Sequence, residues 1–454
     1  GTIELTGGAI TVADEASIVT PGGSITLEGS EGEIVSVSGK LDVSNTESGE
    51  TGGTIHVLGD YVGLFNNASI NVSGDAGGGT ALIGGDFQGK NPDIKNAYRT
   101  YVGSGANIFA DALTTGDGGK VIVWSDDTTR YYGNIFARGG PQSGNGGFAE
   151  VSGKGFLDFQ GSANLTAVNG TIGSLLLDPT DVIIATGGTA NAVDVDQFAD
   201  AGATLTIAPG TLDGVGAAVT IQADNDITVT NAITLTTSGA SLTLHAGDDI
   251  NINANITTNN GAITLSSNHA GGGQTNTGTA GVVTMADGTT VDAGNATILV
   301  FAQGDVTVSR LVTTNTGTTA ISVNSTAGAI VDAGDTGGAD IETTSGRVVI
   351  TAVTGVGSAG AIEVTAGSID STNTTSGNVQ VTETDAITLV NFDNSGGGTL
   401  QLTAGGNISV NDGAINGGSG NITLNATAGS IIEASSNTTA NITTTGTVSL
   451  TAGT

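Results

Sequence analysis

The chain has 454 residues, of which 76 are glycine, 5 are proline and none is cysteine, and its ten Lys plus Arg against 43 Asp plus Glu give a formal net charge of −33. That charge argues against a nucleic-acid partner, because phosphate binding needs clustered cations, and the missing cysteine excludes disulfides and thiolate metal sites. No apolar run reaches the eighteen or so residues of a membrane span, so no membrane insertion is expected. Scarce proline and thinly but evenly spread apolar residues indicate an ordered chain with a narrow core running along a rod.

In chain order, Thr2-Ile3-Glu4-Leu5 already reads as a strand and not as a signal peptide, and Val448-Ser449-Leu450 reads as another near the far end. The chain is therefore expected to be a piece of a longer protein. Segments starting with a glycine pair follow: Gly52-Gly53-Thr54-Ile55-His56-Val57, Gly78-Gly79-Thr80, Gly118-Gly119-Lys120-Val121-Ile122-Val123 and Gly146-Gly147-Phe148. The steps between their second glycines are 26, 40 and 28 residues, and the long interval holds a polar loop, Asp86 to Tyr101. Asp178-Pro179 and a short helix over Val193–Asp200 mark a change of composition: all five tyrosines, Trp124 and eight of the ten basic residues lie before it. From residue 219 the unit shortens to two or three alternating apolar residues, a small-residue turn and another apolar anchor, as in Leu400-Gln-Leu402 with Ile408. Steps such as 300 to 323, 381 to 402 and 402 to 424 are 23, 21 and 22 residues, while 323 to 350 is 27 and should contain an insertion.

Period-two strands repeated at about twenty-two residues specify a solenoid. Val, Ile and Leu point inward, Thr, Ser, Gln and Asn outward, and each coil stacks on the next at about 4.8 Å. The expected fold is all-β: a parallel β-helix of about twenty coils and roughly 100 Å, with loop insertions and one short helix. Its sections are residues 1–180, a transition at 181–203 and a repeat section at 204–454.

The first section also carries recognisable wording. Gly59-Asp-Tyr-Val-Gly-Leu-Phe65 with Ala68-Ser-Ile70, Gly74-Asp-Ala-Gly-Gly-Gly79, Asp117-Gly-Gly-Lys-Val-Ile-Val-Trp-Ser-Asp126, Asn145-Gly-Gly-Phe-Ala-Glu-Val-Ser-Gly153 and Leu175-Leu-Leu-Asp-Pro-Thr180 resemble the filamentous haemagglutinin family over residues 50 to 185. The resemblance implies a right-handed parallel β-helix exported by two-partner secretion through an outer-membrane β-barrel transporter. It implies a secreted, cell-surface protein with roles in adhesion to host, neighbouring-cell or matrix receptors, in biofilm, or in carrying toxin modules. No enzymatic activity is expected, because the residues show no catalytic constellation.

Chemistry is sparse. Asp126-Asp127 with Arg130, and Asp248-Asp249 near His245, are candidate acid/base groups. Neighbours in a strand face opposite ways, however, so turn or solvent-facing carboxylates are the expected reading. His56, His245 and His269 are too scattered for a metal site, and the first two should be solvated strand residues. The tandem calcium repeat Gly-Gly-x-Gly-x-Asp is absent and no loop has the ligand spacing, so built-in structural calcium is not expected, while weak surface binding of calcium stays open. Glycine runs at 77–79, 271–273 and 396–398 lack the lysine and hydroxyl of a phosphate loop. The irregular coils do not suit the threonine rows of an ice-binding solenoid. No catalytic, cofactor-binding or metal residue is assigned, and no cofactor is expected.

Two readings of function stand: a structural or adhesive surface shaft, and a subunit that assembles with itself head to tail into a filament. A third, a polysaccharide-active enzyme, needs a groove with at least three carboxylates and a basic partner. If the shaft is adhesive, recognition should sit in the loops. Asp86 to Tyr101 is the first candidate, and its replacement by a short Gly-Ser turn should leave the rod folded and lower attachment; the alternative is that it only covers an edge of the helix.

Overall fold

The computed structural model describes residues 1–179, 182–185, 205–268, 280–434 and 440–453. They form a parallel β-helix with strands throughout, one five-residue α-helix at Pro209–Asp213 and a single 3-10 turn at Phe87–Gly89. The helix expected at Val193–Asp200 lies outside the described residues. By contact density the described residues divide into two units: Gly1–Asp224 with Thr234–Leu242, and Asn225–Ile233 with Thr243–Ala270 and Thr275–Thr454.

In the first unit each early coil contributes one strand to each of three sheets. The first sheet stacks Thr2–Gly7, Ser24–Gly29, Thr54–Leu58, Thr80–Ile83, Lys120–Ser125, Phe148–Gly153, Ser174–Asp178 and Ala218–Ala223 in parallel. Alternation along each strand, combined with this register, gathers the inward side chains into columns. One column runs Ile25, Ile55, Ala81, Val121, Ala149, Leu175, Val219, and all of its members are buried. The 40-residue step seen in the sequence is the one between the strands at Thr80 and Lys120, which pair directly. The intervening chain forms the rest of the coil and a strap.

The paired glycines have a steric cause. A Cβ at Gly53 would come 2.0 Å from Gly23 O, one at Gly79 2.0 Å from Gly53 O, one at Gly119 2.2 Å from Gly79 O, and one at Gly147 2.2 Å from Gly119 O. Successive coils pack backbone to backbone at this corner, and none of these four glycines has a left-handed φ.

In the second unit the register pairs Val300 with Val323 and then Ile350, and Leu402 with Val381 and Leu424. These are the steps read from the sequence. Corner Asn and Asp side chains accept the N–H of the next coil: Asn378 Oδ1 from Thr399, Asn407 Oδ1 from Ser430 and Asn421 Oδ1 from Thr447, at 2.9, 2.8 and 3.0 Å. This answers the need of each turn for a hydrogen-bond partner where no strand continues. Past Ile330–Asp332 one row of strands thins to the single bridges Ile330–Val356 and Val356–Val379. An internal asparagine pair follows, with Asn373 Nδ2 donating to Asn394 Oδ1 at 2.8 Å, both side chains buried.

Candidate functional site

The exterior of the first sheet in the first unit does not follow the expected polar pattern. Its outward row runs Thr26, His56, Leu82, Ile122, Glu150, Leu176, Thr220. Leu82, Ile122 and Trp124 form a second, external core, against which Ile94 and Phe148 pack. The cover is the segment from Asp86 to Tyr98; the last residues assigned to the loop by sequence belong to a strand, Arg99–Val102. The segment is tied down at several points. Lys120 Nζ pairs with Asp86 at 2.7 Å, Lys95 Nζ with Asp60 at 2.8 Å, and Asn96 Nδ2 reaches Gly89 O and Asp126 at 2.9 and 3.1 Å. A Cβ at Gly89 would stand 2.6 Å from the Trp124 ring. The loop is therefore a strap whose removal would expose apolar surface, and the expectation that a Gly-Ser turn could replace it harmlessly is withdrawn.

The strap encloses acidic groups. Glu150 is 0% exposed, and both its oxygens accept the Gln88 N–H, at 3.2 and 3.1 Å. Burial pushes its carboxyl up to about 7, against the pull of Gln88 and Ser152. Burial and then Asp224 likewise push Asp178 up to about 7. Asp86 behaves oppositely: burial alone would raise it, but Lys120, Asn91 and the Phe87 N–H outweigh that and hold it at about 2. A cleft of about 210 Å³ opens beside the strap, lined by Asp126, Asp178 and Asp224 with Lys90 and Lys154. Trp124 also borders the cleft but is only 4% exposed.

The other sequence candidates separate. Asp126 Oδ1 accepts from Trp124 Nε1 at 3.0 Å, while Asp127 Oδ2 pairs with Arg99 Nε at 2.7 Å, so the two neighbours serve different partners in the turn after the strand Lys120–Ser125. Arg130 stands in a row between Tyr101 and Asp158. In the second unit Asp249 Oδ1 accepts from Val282 N at 2.9 Å, and Asp226 Oδ1 from Asp249 N at 3.0 Å, so these act as corner caps. His56 is not the solvated residue expected: it is partly buried beside Leu82, and burial lowers its pKa against the opposing pull of Asp86. His269 and the glycine run at 271–273 lie outside the described residues.

Aromatic rows line the second and third sheets of the first unit. Phe65 stacks on Tyr101 at 5.4 Å, Tyr101 meets Tyr132 edge-on at 5.8 Å, and Tyr132 Oη donates to Asp158 at 2.7 Å. Tyr61 meets Tyr98 at 6.2 Å, with the Arg99 guanidinium 5.2 Å from the Tyr98 ring centre. Phe109 stacks on Phe136 at 5.2 Å, and Arg138 lies 5.5 Å from the Phe136 ring. In-register pairing sets Phe109 directly on Phe136, whereas Tyr101 pairs with Gly63 and Arg130, so Phe65 and Tyr132, each two residues further along, meet its ring diagonally between coils.

No helix among the described residues is long and apolar enough to cross a membrane. Against known proteins, no family model matches the chain and no curated protein matches it.

Proposed function

We propose that this chain is part of an exported bacterial surface shaft of the filamentous haemagglutinin kind, working by reach and adhesion, and that its recognition face is the aromatic and arginine-bearing exterior of the first unit. Export through an outer-membrane β-barrel transporter belongs to the same reading. The observation that carries it is the set of aromatic ladders. The buried columns already hold the coils together, yet Tyr61, Tyr98, Tyr101, Tyr132 and Arg99 stand outside them. Tyr and Arg are the side chains that most often dominate binding energy at interfaces, and an aromatic face flanked by Asp and Arg suits a saccharide or a polar protein surface.

The test is attachment of cells displaying the native protein to host cells and matrix. Tyr98 is 48% exposed, so Tyr98→Ala should leave thermal unfolding unchanged and lower attachment severalfold. Full attachment by a folded Tyr98→Ala protein would remove this face as the recognition surface.

The cleft with Asp126, Asp178, Asp224, Lys90 and Lys154 favours a second reading, since it has the three carboxylates and basic partner that a polysaccharide-active enzyme requires. The shaft is preferred because about 210 Å³ is small beside ordinary ligand pockets of roughly 300–1,000 Å³, and because Trp124 is covered by the strap. Release of reducing ends from acidic or neutral polysaccharides, abolished by Asp178→Asn, would reverse that preference.

A further inference from the structure

A second acidic cluster lies in the second unit, where the chain leaves the strand Ile330–Asp332. The turn passes through Gly334, Gly337 and Gly338, all at positive φ, to Asp340 and the strand Ile341–Thr343. Two contacts fix its path. Asp332 Oδ1 accepts the Gly334 N–H at 2.6 Å, and Thr336 donates its N–H and Oγ1 to the carboxylate of Asp287 at 3.1 and 2.7 Å. One coil further on, the N–H of Glu363 donates to Asp340 Oδ2 at 3.0 Å.

This path gathers carboxylates without matching cations. Asp332, Asp335 and Glu363 each offer an oxygen, and the three lie within 4.8 Å of one another. Calcium binds oxygen at about 2.3–2.6 Å, so ligands on opposite sides of the ion stand roughly 4.6–5.2 Å apart. Behind them is Asp340, 0% exposed, whose Oδ1 has no hydrogen-bond partner and whose carboxyl faces that of Glu363. Glu363 Oε2 is buried and equally without a partner. The charged groups that act on this pair are Asp332 and Asp335; the nearby Arg310 is engaged with Glu342 at 2.6 Å. Buried facing carboxyls are tolerated only if they share a proton or if a cation neutralises them.

We propose that Asp332, Asp335 and Glu363 ligate one calcium ion, with the buried Asp340 carboxylate behind Glu363 as additional counter-charge. All the donors are hard carboxylate oxygens, which excludes the imidazole or thiolate chemistry favoured by zinc and copper. The irregular arrangement of a turn and a strand suits calcium's loose coordination better than the strict octahedron of magnesium. The ligands come from two successive coils, so no single loop shows the spacing of a calcium motif. The ion would clamp the turn at 333–340 to the strand Ile362–Thr365.

Calorimetric titration of the full chain with calcium chloride, after treatment with chelator, tests this. One saturable site per chain is expected, with a dissociation constant on the order of 10⁻⁴ M, together with a calcium-dependent rise in Tm. Asp335 is exposed, so Asp335→Asn should fold normally and weaken binding at least tenfold, as should Asp340→Asn. Asp248→Asn, a carboxylate outside the cluster, should bind as the parent does. The absence of a saturable site, or full affinity in both Asp335→Asn and Asp340→Asn, would overturn the proposal. An equal loss in Asp248→Asn would also overturn it, since the ion would then only be screening the chain's net charge of −33. Magnesium binding as tightly as calcium would overturn the choice of ion.

Discussion

The two units bury the same kinds of side chain and dress their exteriors differently. In the first, the outward rows carry Leu82, Ile122 and Trp124 under a strap, and Tyr, Phe and Arg ladders on the other two sheets. In the second, the outward positions of strands such as Leu242–Ala246, Leu400–Ala404 and Ile422–Ala426 are Thr, His, Gln and Asn. An in-register coil stack needs only its inner columns and backbone ladders to hold together. The outer rows are therefore free to vary, and a continuous apolar row needs a cover. The first unit has a strap and aromatic rows; the second has a mostly polar coat with corner Asn and Asp caps, broken on the strand Ile298–Ala302 by the exposed Leu299 and Phe301.

The largest effect that would break this contrast is at tryptophan. Trp124→Ala should cost about 4 kcal/mol in chemical denaturation, because it empties the external core beneath the strap. Phe301, which is 36% exposed on the strand Ile298–Ala302, should cost within about 0.5 kcal/mol when changed to Ala. Equal costs would mean that the strap contributes no packing.

A smaller effect separates the units by pH. Glu150, with its pKa raised from 4.5 to about 7, retains in the folded state a proton that the unfolded chain has already released. Stability therefore falls as pH rises from 4.5 to 7, and the cost is complete above 7. Glu150→Gln should add about 3 kcal/mol at pH 8 and close to nothing at pH 4. In the second unit Glu383, buried and pushed up to about 8 by burial first, should give a larger gain on change to Gln, over a window extending to pH 8. Stability curves of the two variants from pH 4 to 9 check the offset, and a pH-independent gain in either would contradict it.

The smallest effect concerns the inner core. Tyr131 is fully buried and stacked on Phe159 at 5.5 Å, and its hydroxyl has no hydrogen-bond partner. Tyr131→Phe should raise stability by up to about 1 kcal/mol, because it removes a desolvated polar group without changing the shape of the ring. A loss of stability in thermal unfolding would show that the hydroxyl is satisfied in solution.

The inner columns, the parallel coil stack and the step lengths around Val300–Val323 and Leu402–Leu424 were legible in the sequence, because a period of two within a period near twenty-two leaves few other ways to bury Val, Ile and Leu. The external core left a trace that went unused: Ala81-Leu-Ile83, Val121-Ile-Val-Trp124 and Leu175-Leu-Leu177 are continuous apolar runs, which indicate strands covered on both faces. The glycine pairs were visible, but their reason, carbonyl oxygens about 2 Å from any added Cβ, was not.

Local alternation and turn residues set the coil, because they decide which side chains face inward whatever lies elsewhere in the chain. Which residues meet across coils is a property of the folded stack. Gln88 reaches Glu150 across 62 residues, Phe65 stacks on Tyr101 although its register partner is Gly63, and Asp332 and Asp335 converge with Glu363. Insertions make the coils unequal in length, so the register that brings such residues together is set by strand pairing, and a constant sequence spacing cannot reveal it.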